Sequence, residues 1–397
     1  MNFCKKNDNA LFFSSVKEIP NTIWDLLNCA ENKYFSKDFL ASIEKNHSEI
    51  SFFYVVLVDD KKQPKAFASI QIVDFYLNSV DNNFQDLISK LKTVARKLHI
   101  FPDKKPLKLL ICGNTFVSGE HGIFIKNNSD KKIIIKELAK AILHFVNVDK
   151  HLKIDAFLLK DFINESLFIA DELKDYNYNA FSVEPNMVLQ IDVNWRIFDD
   201  YLAAMKTKFR VKAKKAIQLS AAIQIENVTL ENIANQLPKM TELYRKVAKN
   251  AAFNLGDFNL ATYKDFKEKL GENYILKTYW LDDKMVGFMS GIINQNSLDA
   301  HFVGIDYHLN REFAIYQKML YNYIEIAINK NLKTINFGRT ASEIKSSVGA
   351  EPQDLTMYLR HKKSITNKIL KLFLQRVQPT PFHQHFPFKT INLNEKH

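Results

Sequence analysis

The chain has 397 residues, of which 46% are hydrophobic and 25% charged, a balance that belongs to folded globular proteins and excludes an intrinsically disordered chain. Its formal net charge of +11 and pI near 9.2 favour anionic partners such as phosphates, nucleic acid or an acidic lipid surface. Cys4, Cys29 and Cys112 are too few and too scattered for a disulfide framework or a cysteine zinc site, and no 18-residue apolar run marks a transmembrane helix.

Lys5 to Asn9 precede any apolar run, which is not the layout of a secretion signal, so a cytoplasmic protein is expected, with peripheral contact to an anionic membrane left open. Residues 21 to 45 read as a helix. Ser51 to Val58 and Ala66 to Val73 read as strands joined by a turn at Asp59 to Pro64. Phe84 to Leu98 has helical spacing; Leu107 to Cys112 is a strand running into a loop with Gly113, Gly119 and Gly122. A helix at Ile133 to Val146, a strand at Ile154 to Leu159, a helix at Leu167 to Tyr176 and a strand at Met187 to Val193 follow.

Beyond Trp195 comes a basic helix, Ile197 to Leu219, then strand Ile223 to Val228 and helices at Glu231 to Lys249 and Tyr263 to Leu270. Three strands form a meander, Tyr274 to Leu281, Met285 to Ile293 and Ser297 to Gly304, joined by the tight-turn residues Asp282, Asp283, Asn294 and Asn296. Helix Phe313 to Asn329 leads to strand Thr334 to Phe337 and Gly338. The two halves rhyme: Val58-Asp59-Asp60-Lys61 parallels Leu281-Asp282-Asp283-Lys284, and Leu152 to Phe157 parallels Leu332 to Phe337. An α/β (α+β) protein with duplicated mixed, largely antiparallel sheets covered by helices is predicted.

Tyr201 to Arg210, with its Lys-x-x-Arg-type pattern, and the strand-to-glycine turn Asn336-Phe337-Gly338-Arg339-Thr340 resemble tandem GNAT-type acyltransferases, including the Fem-type peptidoglycan aminoacyltransferases. The resemblance implies two tandem GNAT-like domains, 1–195 and 196–363, with the working site in the second, followed by a basic C-terminal helix and tail at 364–397. It also implies an acyl or aminoacyl group passed from acyl-CoA or aminoacyl-tRNA to an amine, with no covalent enzyme intermediate. Asp306 to Ala314, where a CoA-using GNAT carries a glycine-rich turn for pyrophosphate, contains no glycine, which favours a bulkier donor such as aminoacyl-tRNA or a half that has lost the donor site.

Two groups of residues carry the candidate chemistry. On the basic helix, Lys206, Arg210 and Lys214 flank an apolar stripe on one side and Lys208, Lys212 and Lys215 on the other, six cations with no acid among them. They read as a grip on phosphates or as a solvated face whose lysine stems cover apolar surface. Arg210 leads them, because its planar fork pairs phosphate bidentately. At the strand exit, Asn336, Gly338, Arg339, Thr340 and Lys345 could hold an acceptor carboxylate or phosphate. Direct attack by an amine needs a proton acceptor, for which Asp306, His301 and Glu343 are candidates, and Tyr316 could return a proton to the leaving group.

In such positions each of these four is more often structural than catalytic. Glu120 and His121 in the glycine-enriched loop could act on a ligand or merely serve its turns, while Cys112 reads as core. Ser364 to Val377 alternates apolar and basic residues and could pack on its domain or lie on an anionic leaflet. His383-Gln-His385 is too little for a metal site, and no metal is predicted. The leading expectation is an N-acyltransferase acting on a cell-envelope or peptidoglycan-type precursor. A non-catalytic GNAT-like protein binding RNA or acidic lipid, and a CoA-dependent small-molecule N-acetyltransferase, are the alternatives.

Overall fold

The computed structural model describes residues 9–76, 106–127, 129–249 and 255–389; the helix predicted at Phe84 to Leu98 lies outside them. In chain order the first elements are β1 (Ala10–Phe13), α1 (Asn21–Leu27), α2 (Lys37–Asn46), β2 (Ser51–Val58) and β3 (Pro64–Phe75). Next come β4 (Leu107–Cys112), β5 (Ile123–Ile125), α3 (Lys131–Val148), β6 (Ala156–Ile163), α4 (Leu167–Ala170) and β7 (Asn179–Gln190). Then follow α5 (Phe198–Ala204), α6 (Thr207–Leu219), β8 (Gln224–Asn227), α7 (Ile233–Ala248) and α8 (Thr262–Leu270). The meander is β9 (Tyr274–Leu281), β10 (Lys284–Asn294) and β11 (Ser297–Ile305). The chain continues through α9 (Tyr307–Phe313), α10 (Ile315–Asn329), β12 (Thr334–Asn336), α11 (Ser342–Ser347), β13 (Glu351–His361) and α12 (Ser364–Leu374).

Two compact units divide the chain. One comprises Met1–Glu184, Ala251–Thr262 and Asp354–Pro379; the other comprises Pro185–Asn250, Tyr263–Gln353 and Thr380–His397. The strand order in the first is β1-β2-β3-β4-β6-β13, with β5 set against β3, and every pair is antiparallel except β4 with β6. In the second it is β8-β9-β10-β11-β12-β7, antiparallel throughout except β11 with β12. Position by position the two orders match, so the duplication legible in the turns extends through the whole sheet. A parallel pair needs a crossover, and helices α3 and α10 supply it at the same place in each unit.

The sequence dictates where each core sits. Tyr54 to Val58 are buried without a break, as a strand covered on both faces must be. Leu138, Ile142 and Phe145 of α3 share the first unit's core with Val55, Ile70 and Leu110. In the second unit Met319, Tyr323 and Ile324 of α10 share a core with Tyr279, Met289 and Ile335.

Three predicted helices are interrupted, each for a visible reason. Residues 21 to 45 form α1 and α2, because Asn28 closes α1 in a left-handed conformation (φ 51°) and the Ser36 hydroxyl caps α2 by accepting from the Phe39 amide at 3.2 Å. The basic helix breaks at Met205, whose backbone is extended and forms a β-bridge to Phe388. Helix 313–329 starts two residues later, after Ala314 at φ 47° has ended α9. Strand β13 and helix α11 carry too little periodic apolar pattern to be foreseen. The segment 354–379 belongs to the first unit, so the compact units interleave along the chain instead of following one another as the boundaries at 195 and 363 would have them.

Candidate active site

Strand β12 is three residues long, and beyond Asn336 the neighbouring β11 runs on from Ala300 to Ile305 with no partner from β12. The departure is built by the exit turn. Asn336 Oδ1 accepts from the Gly338 amide at 2.9 Å, Gly338 takes φ 71°, and Thr340 and Ala341 follow at φ 66° and 50°. A left-handed conformation is uncommon for alanine and strained for a β-branched threonine, on the order of 1–3 kcal/mol each, and such strain persists only where surroundings enforce it.

Lys345 is the enforcer. It is 4% exposed, and its ammonium donates to the carbonyls of Gly338 at 3.1 Å and Arg339 at 2.7 Å. No carboxylate pairs with it among the described residues, and burial takes its pKa down to about 7. Met187 adds a backbone amide to the Gly338 carbonyl at 3.1 Å.

From this turn α11 forms one wall of a cleft of about 530 Å³ within the second unit, a volume in the range of small-ligand sites. Glu343, Ser342 and Ser347 come from α11, Phe209 and Lys212 from α6, and Gln317 and Tyr321 from α10. The remaining wall is the tail, through Phe382 and His385. His385 Nε2 lies 3.6 Å from Glu343 Oε1, and its ring stands edge-on to Phe209 at 5.7 Å. Its backbone amide donates to Ser346 Oγ at 3.1 Å.

The tail is strapped down along its length. The Lys206 amide donates to the Pro387 carbonyl at 2.8 Å, the Lys206 ammonium to the Phe386 carbonyl at 3.0 Å, and Gln384 Nε2 to the Ala350 carbonyl at 3.1 Å. The Phe388 ring packs with Trp195 and Tyr201 and lies directly over Gly349, where a β-carbon would come within 2.3 Å of it.

The predicted residues fall into three groups. Glu343 lines the cleft, and the turn of Asn336, Gly338, Arg339 and Thr340 leads into it. Lys345 is turned inward onto carbonyls, so the acceptor-binding role read for it is replaced by that of a pin beneath the turn. Lys206 is likewise committed, to the tail. On α6 the residue at the cleft is Lys212 from the second basic row; Arg210 is half-buried, Lys208 and Lys214 are exposed, and none of these three lines the cleft.

Asp306, His301 and Tyr316 lie outside the cleft lining. Asp306 caps α9, accepting from the His308 amide at 3.2 Å, and pairs with Lys284 at 3.0 Å. Burial raises its pKa, but the Lys284 hydrogen bond and charge, the His308 amide and the Lys246 charge together outweigh burial and hold it below the usual carboxylate value, which disfavours a proton acceptor. His301 sits on β11 among aromatic rings, 4.2 Å from Phe302. Tyr316 packs against the second core, and burial raises its hydroxyl well above the ordinary tyrosine value. Residues 307–313, where a glycine-rich phosphate turn would be open, are the helix α9 with a carboxylate at its head. That arrangement does not fit a CoA pyrophosphate.

The glycine loop of the first unit is filled from within by a side chain. Lys160 runs under it to the carbonyls of Asn114 at 2.8 Å and Val117 at 2.7 Å and pairs with Asp161 at 2.6 Å, and a β-carbon at Gly113 would meet Lys160 at 2.5 Å. Glu120 accepts from the Ile163 amide and Ser166 Oγ, each at 2.9 Å. His121 packs 4.0 Å from the Tyr34 ring, with burial pushing its pKa down to about 3. Cys112 is buried, its thiol pushed up to about 12.

His385, Tyr321 and Phe382 at the cleft were not picked out by sequence reasoning. A paired His-x-His in a proline-broken tail is weak evidence by itself, and only the fold brings it to Glu343.

The sequence signature of the FemAB-like family, described as peptidoglycan biosynthesis/recognition, matches residues 117–386. No curated protein matches the chain by sequence. Among solved structures, FemX superposes with a TM-score of 0.52 at 10% identity, covering 89% of this chain and 98% of that one. A tandem GNAT protein from the clavulanic acid biosynthesis pathway gives 0.52 at 9% identity, covering 89% and 98%. At such identities the likeness is one of fold, the duplicated GNAT-like sheet described above.

Proposed function

Because the chain belongs to the FemAB-like family, we propose that it is a transferase which moves an aminoacyl or acyl group from an activated donor to an amine of a cell-envelope or peptidoglycan-type precursor. The observation that supports this reading is the meeting of Lys212, Glu343 and His385 in one cleft of the second unit. Lys212 supplies a cation for a phosphate-bearing substrate, and the Glu343–His385 pair supplies a proton acceptor. The acceptor ammonium gives its proton to this pair, and the free amine attacks the donor carbonyl. A carbon–nitrogen bond forms, the ester bond to the donor breaks, one of the two protons left on the nitrogen passes to the leaving oxygen, and the proton held by the pair is released to solvent. An aminoacyl-tRNA ester is the donor favoured by the α9 geometry, and cytoplasmic precursors are the natural acceptors.

The test is transfer by purified protein from aminoacyl-tRNA, with acyl-CoA in parallel, to amine-bearing precursors. Glu343→Gln and His385→Asn are expected to lower kcat by roughly 10²-fold or more, with a smaller change in KM. No transfer from either donor, together with no thermal shift from any precursor, overturns the reading.

A further inference from the structure

Helix α12, in the first unit, buries two polar side chains beside Leu374 and leaves two large aliphatic ones outside. Thr366 and Asn367 are 4% and 8% exposed, whereas Ile365 and Leu372 are 74% and 61% exposed. The anchor is Asn367: its Oδ1 accepts from the His361 amide at 2.8 Å and from Asn179 Nδ2 at 3.2 Å, and its Nδ2 donates to the Asn177 carbonyl at 2.8 Å. Three hydrogen bonds to one side chain fix the rotation of the helix about its axis. That rotation places Ile365 and Leu372, seven residues and two turns apart, on one outward stripe with Lys368 between them and Arg376 beyond.

Charge identifies what covers this stripe. From Leu355 to Asn394 the sequence contains no Asp or Glu, while Lys363, Lys368, Lys371 and Arg376 lie on or beside the helix, all exposed. None of these four has an ion-pair partner among the described residues. Lys362 does, at 2.8 Å to Asp155. Exposed aliphatic side chains set among unpaired cations suit a surface that is negative outside and apolar just beneath. We propose that α12 docks the protein on an anionic phospholipid bilayer, with Ile365 and Leu372 entering the headgroup boundary and the four cations lying at the phosphates. The proposal uses none of the cleft residues and stands independently of the transferase reading.

The full chain is floated with phosphatidylcholine vesicles containing about a third phosphatidylglycerol, and with phosphatidylcholine vesicles alone. Binding to the anionic vesicles only, falling with salt, is expected. The double variant Ile365→Ser with Leu372→Ser should keep its thermal midpoint and lose at least about tenfold in partition coefficient. Lys368→Glu with Lys371→Glu should lose roughly fivefold or more per site. Failure of the wild-type protein to float, equal flotation on both vesicles, or wild-type binding by the double serine variant overturns the proposal. So does a dimer of the wild-type chain that the serine variant splits, since a second copy would then cover the stripe.

Discussion

At the scale of single residues the exit turn sets the terms. Lys345 has a pKa of about 7 in the fold and near 10.4 in an unfolded chain, so between those values the unfolded state binds the extra proton. Stability from this group therefore rises with pH across that window and is flat and lowest below about 7, a span on the order of several kcal/mol. Urea midpoints at about pH 7 and pH 9.5 should climb for the wild-type protein and climb much less for Lys345→Met. An identical rise in both would show that Lys345 is solvated, not buried. Two glycines give a second contrast. At Gly338 a β-carbon meets nothing within 4 Å, so Gly338→Ala costs only the left-handed backbone, about 1–2 kcal/mol in thermal or urea unfolding. At Gly349, with φ 103°, the added methyl collides with Phe388, so Gly349→Ala should expose the tail to protease and abolish activity. Of these features the sequence reveals Gly338 and the polarity of the segment after it. The inward turn of Lys345 was not legible, because a lysine on a short amphipathic stretch reads the same whether its ammonium meets water or two carbonyls.

At the scale of elements, the cleft depends on how α6 is cut and tied. A continuous basic helix makes Arg210 the natural phosphate ligand. The break at Met205, forced by its β-bridge to Phe388, starts α6 afresh, and the residue at the cleft is Lys212. Lys212→Ala should therefore weaken binding of a tRNA-type polyanion and lower the slope of log affinity against log salt by about one, while Lys214→Ala changes affinity far less. Equal losses would mean that the whole helix acts as a diffuse field and that the cleft has no preferred cation. The period of apolar residues gave the helix but not its interruption, since the partner that interrupts it lies about 180 residues later and no local signal encodes so distant a pairing.

At the scale of the whole molecule, the repeated order of turns correctly announced a duplicated sheet, because each unit's hairpin and crossover are local in sequence. The strand that completes each sheet is not local. Strand β13, from Asp354 onward, belongs to the first unit and pairs with β6, Leu355 lying opposite Ile163 and His361 opposite Ala156. Leu355, Met357 and Tyr358 of that strand are each no more than 2% exposed, and the Tyr358 hydroxyl donates to Asp171 at 2.7 Å. A fragment of residues 1–195 would leave β6 as a bare apolar edge, the kind of edge that pairs indiscriminately with other chains. Such a fragment is expected to aggregate or to show a non-cooperative melt, although it contains every other strand of its unit. Joining residues 351–379 to its C-terminus through a flexible linker should restore a soluble, cooperatively unfolding first unit. If the 1–195 fragment folds alone with a sharp transition, β13 is dispensable, and the first unit's sheet is held by its local hairpins and the α3 crossover without the returning strand.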